Sequence, residues 1–176
     1  DFVASGGRWL ALHGTNSILE FTDVGVAAPK PIDRMAYTLG SQFIAHPPIQ
    51  LYEVECVAPE HPLVAGIDPF QTDDELYLQE YHDRDKLEPL LETTFSGKAE
   101  GFTEADWSNA DRHLVSYLRP LGKGAVLYNI LGHCRGHWDM KPAMDYYPKI
   151  ERCSWNLPVY YDLIRRGLRW CLGELK

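Results

Sequence analysis

No run of basic residues occurs in these 176 residues, and acidic side chains outnumber basic ones by 25 to 17, for a net charge of −8. A surface that neutralises phosphates needs clustered Lys and Arg, so nucleic acid is excluded as a partner. Nor does any apolar stretch approach the roughly 20 residues that a membrane helix requires, so no membrane association is expected. Cysteine is scarce. Cys56, Cys134, Cys153 and Cys171 fall at spacings that match neither a zinc-binding nor a CxxC pattern. They read as reduced thiols in a cytoplasmic protein, with a single Cys134–Cys153 bridge as the alternative. No signal peptide is visible, although Asp1 reads as lying inside a helix, so a start further upstream is expected. Internal repeats and low-complexity tracts are absent as well. What is present, 45% hydrophobic and 24% charged residues, supplies core enough for one globular domain over 1–176.

The stretch GGRWLALHGT, residues 6–15, organises the rest. Asp1 to Ser5 read as a last helical turn, with Gly6 in the position just past a helix end. Trp9, Leu10, Ala11 and Leu12 are consecutively apolar, as in a central parallel strand covered on both faces. The strand stops at His13-Gly14. Ligands of open α/β sheets bind beyond the carboxyl ends of the strands. That makes His13 a functional candidate, and Gly14 a small neighbour that lets a ligand approach.

Further along, Thr15 to Phe21 read as a short helix start capped by Thr15 or Asn16, and residues 23–31 as a loop. Residues 32–39 fit two helical turns. The prolines at Pro47 and Pro48 leave His46 extended at a loop edge. Gln50 to Val57 alternate as a strand with one wet face, antiparallel or near an edge. Residues 59–66 read as turn and short helix, residues 69–74 as a loop, and Glu75 to Leu78 as a short strand. Lys86 to Phe95 read as a strand near an edge, and Ser96 to Arg112 as a polar surface loop. His113 to Leu118 and Ala125 to Leu131 form an antiparallel hairpin, and the second strand ends at Gly132-His133. Arg135 to Asn156 is long, irregular and rich in aromatics, as functional loops are. Pro158 to Leu172 is the clearest helix, with an apolar stripe at Tyr160, Leu163, Ile164, Gly167, Leu168 and Cys171.

Strand ends of a doubly wound sheet converge over one crevice, which draws together His13, His46, Glu75 and His133. Imidazole titrates near neutral pH, so His13, His133 and Glu75 suit general acid–base chemistry. His46, His137, Trp138 and Gly14 are candidates for holding the substrate; Trp138, Tyr146, Tyr147 and Trp155 offer flat faces to a sugar ring. His13, His46 and His133 suit a divalent metal such as zinc. The competing reading is structural: the histidines serve loop geometry and the aromatics cover core. His61 is assigned to its turn, His82 and His113 to the surface or the hairpin, and the Asp73–Asp74 pair to solvent.

Several blocks in order carry a family resemblance: FVASGGRWLALHGT, SQFIAHPP, HPLVAGI followed by DDELY, and LGKGAVLYNILGHCRGHW followed by RGLRWCLG. Together they resemble the ThuA-like (trehalose utilisation) family of the class I glutamine-amidotransferase-like superfamily. The resemblance implies a flavodoxin-like three-layer α/β sandwich with a mainly parallel sheet, to which the hairpin adds antiparallel strands. The chain corresponds to the carboxyl-terminal two thirds of such a domain, without its opening strands. The implied function is carbohydrate utilisation, on trehalose or a keto-sugar. An enzyme of this kind would be an acid–base or metal-assisted isomerase or hydrolase; a non-catalytic sugar-binding or assembly module is the alternative. Amidotransferases of the superfamily place a cysteine at the strand-to-helix corner where this chain has His13, so thiolate-based glutamine hydrolysis is not expected. Cys134, beside His133, is the one remaining thiol candidate. An incomplete sheet leaves edges to cover, so a homo-oligomer is an expected partner.

Overall fold

The computed structural model describes residues 1–30, 34–142 and 144–175. Among the described residues ten strands and two α-helices follow in order: β1 (Arg8–Leu12), β2 (Glu20–Thr22), β3 (Gly25–Ala27), α1 (Arg34–Leu39), β4 (Ser41–Ala45), β5 (Tyr52–Cys56), β6 (Phe70–Thr72), β7 (Leu78–Tyr81), β8 (Glu88–Lys98), β9 (Asp106–Leu121), β10 (Gly124–Asn129) and α2 (Pro158–Cys171). The main sheet has the order β1-β10-β9-β8-β5-β6, while β2–β3 and β4–β7 form separate two-stranded ribbons.

Among the described strand pairs only β1 and β10 are parallel, with Arg8 opposite Ala125 and Leu12 opposite Asn129; a single parallel bridge also joins Val26 and Phe102. All other strand pairs are antiparallel. The mainly parallel sheet expected from the family resemblance is therefore corrected. The reason lies in the connections: β8, β9 and β10 follow one another through short turns, and a short turn can only return the chain antiparallel.

The sheet is covered on both faces. On one side Leu10, Leu12, Leu127 and Asn129 meet Leu163 and Ile164 of α2. Pro158 opens α2 where its missing N–H costs nothing, and Tyr160, Leu163, Gly167 and Trp170 are its buried residues. The stripe is rotated slightly from expectation, because Leu168 is exposed. On the other side the buried Tyr117 and Tyr128 meet edge to face, 5.6 Å between centroids. The Tyr117 hydroxyl reaches the Leu39 carbonyl at the end of α1 (3.0 Å) and Ser41 Oγ in β4 (2.7 Å).

Four local expectations change. Thr15 to Phe21 is no helix: His13–Asn16 is a single 3-10 turn, closed by Leu12 N–H donating to the Thr15 hydroxyl, and the chain then enters the β2–β3 ribbon. The segment taken as a loop at 96–112 is largely strand, where β8 pairs with β9 as far as Lys98 and Asp106. Its polar residues stand in water, and ladder hydrogen bonds rather than burial hold them extended. A strand, β6, lies within 69–74, and the next strand begins at Leu78 instead of Glu75. His113, assigned to the surface or the hairpin, lies in β9 of the hairpin but is buried, 4% exposed between the rings of Phe95 and Trp107. The start of the expected 32–39 helix lies outside the described residues; α1 begins at Arg34. All four cysteines are free, so Cys134 and Cys153 are not bridged.

Candidate functional site

Because β1 and β10 lie side by side and run the same way, their carboxyl ends deliver His13 and His133 to the same place. The two rings meet edge to face at 5.3 Å. His13 sits at φ 34°, in the left-handed region that a non-glycine residue adopts at a cost. Its turn is tied to the sheet: the Tyr128 hydroxyl lies 2.6 Å from both the His13 carbonyl and Asn16 Oδ1. Asn16 in turn donates to Gln79 Oε1 (2.7 Å) and Ser41 Oγ (2.9 Å). Gly132 holds φ 116°, and a Cβ there would fall 2.1 Å from the Tyr160 hydroxyl, so no larger residue fits before His133.

Glu75, between β6 and β7, is the hub. Its Oε2 lies 3.4 Å from His13 Nε2 and 3.2 Å from His133 Nδ1; its Oε1 lies 3.4 Å from His46 Nε2 and 3.7 Å from an Arg135 nitrogen. His133 Nε2 faces Glu151 Oε2 at 3.0 Å, which Arg135 also approaches at 3.2 Å. The Tyr147 hydroxyl donates to the other Glu151 oxygen at 2.8 Å. His13 Nδ1 lies 2.6 Å from the Ile130 carbonyl and His46 Nδ1 2.9 Å from the Pro47 carbonyl. A carbonyl only accepts, so both rings carry their proton on Nδ1 and turn Nε2 toward Glu75. Beside this cluster opens a hollow of about 330 Å³, lined by His46, Glu75, Arg135, Tyr147, Lys149 and Glu151 among others.

Charge balance follows from these contacts. Burial works to raise the Glu75 carboxyl, but hydrogen bonding with His13 and His133 and the charges of His46 and His133 outweigh it and hold the group well below its ordinary 4.5. Burial works to lower His133, and the Glu75 and Glu151 carboxylates overcome it and raise the imidazole above 6.5. Burial likewise opposes ionisation of Glu151, which His133, Tyr147 and Arg135 nonetheless bring below 4.5.

Asp74 fixes the geometry of the centre from beneath. Expected in solvent, it is fully buried and accepts from the backbone N–H groups of Glu75 (2.8 Å), Gly132 (2.9 Å), His133 (3.1 Å) and Ser154 (3.2 Å), and from the Ser154 hydroxyl. The carboxylate was needed there because these strand ends leave their amides without ladder partners.

The sequence matches the ThuA family, whose description is trehalose utilisation, over residues 1–147. This chain belongs to the ThuA family. Among solved structures it is similar to a ThuA-like protein from Parabacteroides merdae, with TM-score 0.58 and 16% identity over 99% of this chain and 64% of that one. It is also similar to the cold-adapted β-galactosidase from Rahnella sp. R3, with TM-score 0.52 and 12% identity over 99% of this chain and 20% of that one. At these identities the likeness is one of fold. The chain thus spans less than two thirds of either protein. A search of curated proteins finds no match.

For this ThuA-family chain, the site residues named from sequence divide in two. His13, His46, Glu75 and His133 come together. Of these four, His46 and Glu75 line the hollow, and His13 and His133 reach it through Glu75. His137 and Trp138 do not join the cluster: His137 Nδ1 is bound to the Tyr147 carbonyl (2.7 Å) and its ring stacks on Tyr146 (4.7 Å), while Trp138 is 62% exposed. The apolar ring prefers its neighbours Tyr146 and Lys141 within the loop. Trp155 braces the His133 turn instead of forming a sugar platform, its indole N–H donating to the Gly132 carbonyl at 2.9 Å. Gly14 is exposed, and the nearest atom to a Cβ there would be the Tyr77 hydroxyl at 3.9 Å; the space beside it is open. Cys134 is exposed. Asp74, Arg135 and Glu151 were missed. Charge in an aromatic-rich loop was the only signal for the last two.

Proposed function

We propose that the crevice over Glu75 binds a carbohydrate and acts on it by proton transfer, in keeping with the trehalose utilisation for which the ThuA family is described. The observation that carries this reading is the meeting of three imidazoles from distant parts of the chain on one buried carboxylate. A polyol or keto-sugar offers hydroxyl protons and a carbonyl, and imidazoles close to neutrality exchange such protons efficiently. His13 and His133 are the central pair, with His46 and Glu75 completing the set; Arg135, Tyr147 and Lys149 along the hollow supply donors to sugar oxygens. Isomerisation of a keto-sugar and hydrolysis of an oxidised glycoside both suit such a set. Replacing His13 and His133 separately with Ala, then titrating trehalose and keto-sugars by calorimetry and assaying turnover, tests the proposal. Binding and turnover unchanged in both variants would remove it.

One observation favours a second reading, a sugar-binding module without turnover. His133 has a carboxylate on each ring nitrogen, an arrangement that holds a proton instead of passing it on. Affinity without product formation would select this alternative. We further infer a flavodoxin-like frame, supported by helices on opposite faces of the sheet and the parallel β1–β10 pair; a cytoplasmic setting, supported by four free thiols; and self-association through an edge of the sheet. Among the described residues no helix is long and apolar enough to cross a membrane.

A further inference from the structure

The contacts around Glu75 are long for charge-assisted hydrogen bonds. Charge-assisted N–H···O bonds run about 2.7–2.9 Å, and His133 with Glu151, at 3.0 Å, comes close. The three imidazole contacts to Glu75 are 3.2–3.4 Å. His13 gives its Nδ1 proton to the Ile130 carbonyl, so Nε2 is the atom that faces Glu75 Oε2. At 3.4 Å that approach is long for a shared proton and matches two ligands of one cation.

Two ligands each about 2.1 Å from a tetrahedral ion lie about 3.4 Å apart, which is the spacing seen here. His13, Glu75 and His133 each offer one ligand atom, and these atoms all lie within 4.8 Å of one another. The outer contacts fit as well. Histidines that bind metal generally give their second nitrogen to a carbonyl or carboxylate. His13 does so with the Ile130 carbonyl and His133 with Glu151.

We propose that His13 Nε2, His133 Nδ1 and Glu75 Oε2 form a site for one divalent transition-metal ion of the zinc type, leaving a further coordination position for water or a sugar oxygen. This deepens the carbohydrate reading and rests on it for the identity of the outer ligand. His46, on the opposite oxygen of Glu75, falls outside the set, which alters the His13, His46 and His133 trio expected from sequence. Nitrogen and oxygen donors of this mix suit zinc and its neighbours in preference to magnesium or calcium.

The test is a calorimetric titration of the chelator-treated full chain with Zn²⁺ alone, beside elemental analysis of the protein as purified. The expected result is one ion per chain. Glu151→Gln should weaken binding by roughly 10–100-fold, as loss of an outer partner does, and His13→Ala by more. His137→Ala should leave it unchanged. Should His13→Ala melt early, His13→Gln, checked for a native circular-dichroism spectrum, takes its place. A wild-type chain that neither carries nor takes up zinc, or a folded His13 variant with undiminished affinity, overturns the proposal. No sugar is present in this titration, so a negative result removes the ion without touching the carbohydrate reading. That reading stands or falls on the sugar titrations.

Discussion

At the scale of single residues, Asp74 does more for the site than any group that faces the hollow. Four backbone N–H groups converge on it from three separate segments. Replacing it with Ala leaves those donors buried without partners, at about 1–3 kcal/mol for each group stranded. The expected loss for Asp74→Ala is about 3 kcal/mol or more, read by urea denaturation. A loss under about 1 kcal/mol would show that water takes over its bonds. His113, packed between Phe95 and Trp107, gives a cleaner pH signature. Both ring nitrogens are buried without a partner, and burial holds the imidazole below its ordinary 6.5. The unfolded chain therefore binds this proton more readily than the native one does. The associated stability is fully present above pH 6.5 and is lost as pH falls toward the depressed native value. His113→Leu should flatten the fall in unfolding free energy between pH 7 and 5; an unchanged slope would assign that fall elsewhere.

Among the elements, the β10-to-loop corner is the least tolerant. Gly132 combines a positive φ with contact against Tyr160. Gly132→Ala is expected to cost about 3 kcal/mol, from backbone strain together with the clash. Adding Tyr160→Phe should recover only the steric share, and full recovery would mean the backbone carries no strain. On α2, a Cβ at Gly167 would sit 3.0–3.3 Å from side-chain carbons of Leu10 and Leu127. Gly167→Val should therefore lose about 1–3 kcal/mol, measured by thermal melting, despite valine's better helix propensity. Elements with a one-dimensional signal were legible beforehand. The apolar run of β1, the alternation of β5 and the periodicity of α2 each follow from local pattern. The outer arms of β8 and β9 were not, because residues 106–112 are polar and their extension comes from a partner strand across the ladder.

Across the whole molecule, a polar network links sheet, turn and ribbon through Tyr128, Asn16, Gln79, Ser41 and Tyr117. Tyr128→Phe and Asn16→Ala should each destabilise the chain by about 1 kcal/mol and couple in a double-mutant cycle; simple additivity would deny the network. Each single change should also weaken ligand binding at His13, whose carbonyl Tyr128 holds. Residue chemistry alone named His13, His46, Glu75 and His133, and strand-end placement follows from where apolar runs stop. Sequence by itself determined the family, the element types with strong periodicity, and which side chains were worth watching. Tertiary structure alone decided the strand directions, the inward turn of Asp74 and the arrival of Arg135 and Glu151 beside His133. Those outcomes depend on pairings between segments tens of residues apart, and no local pattern of hydrophobicity or charge encodes which distant amide or carboxylate a group will meet.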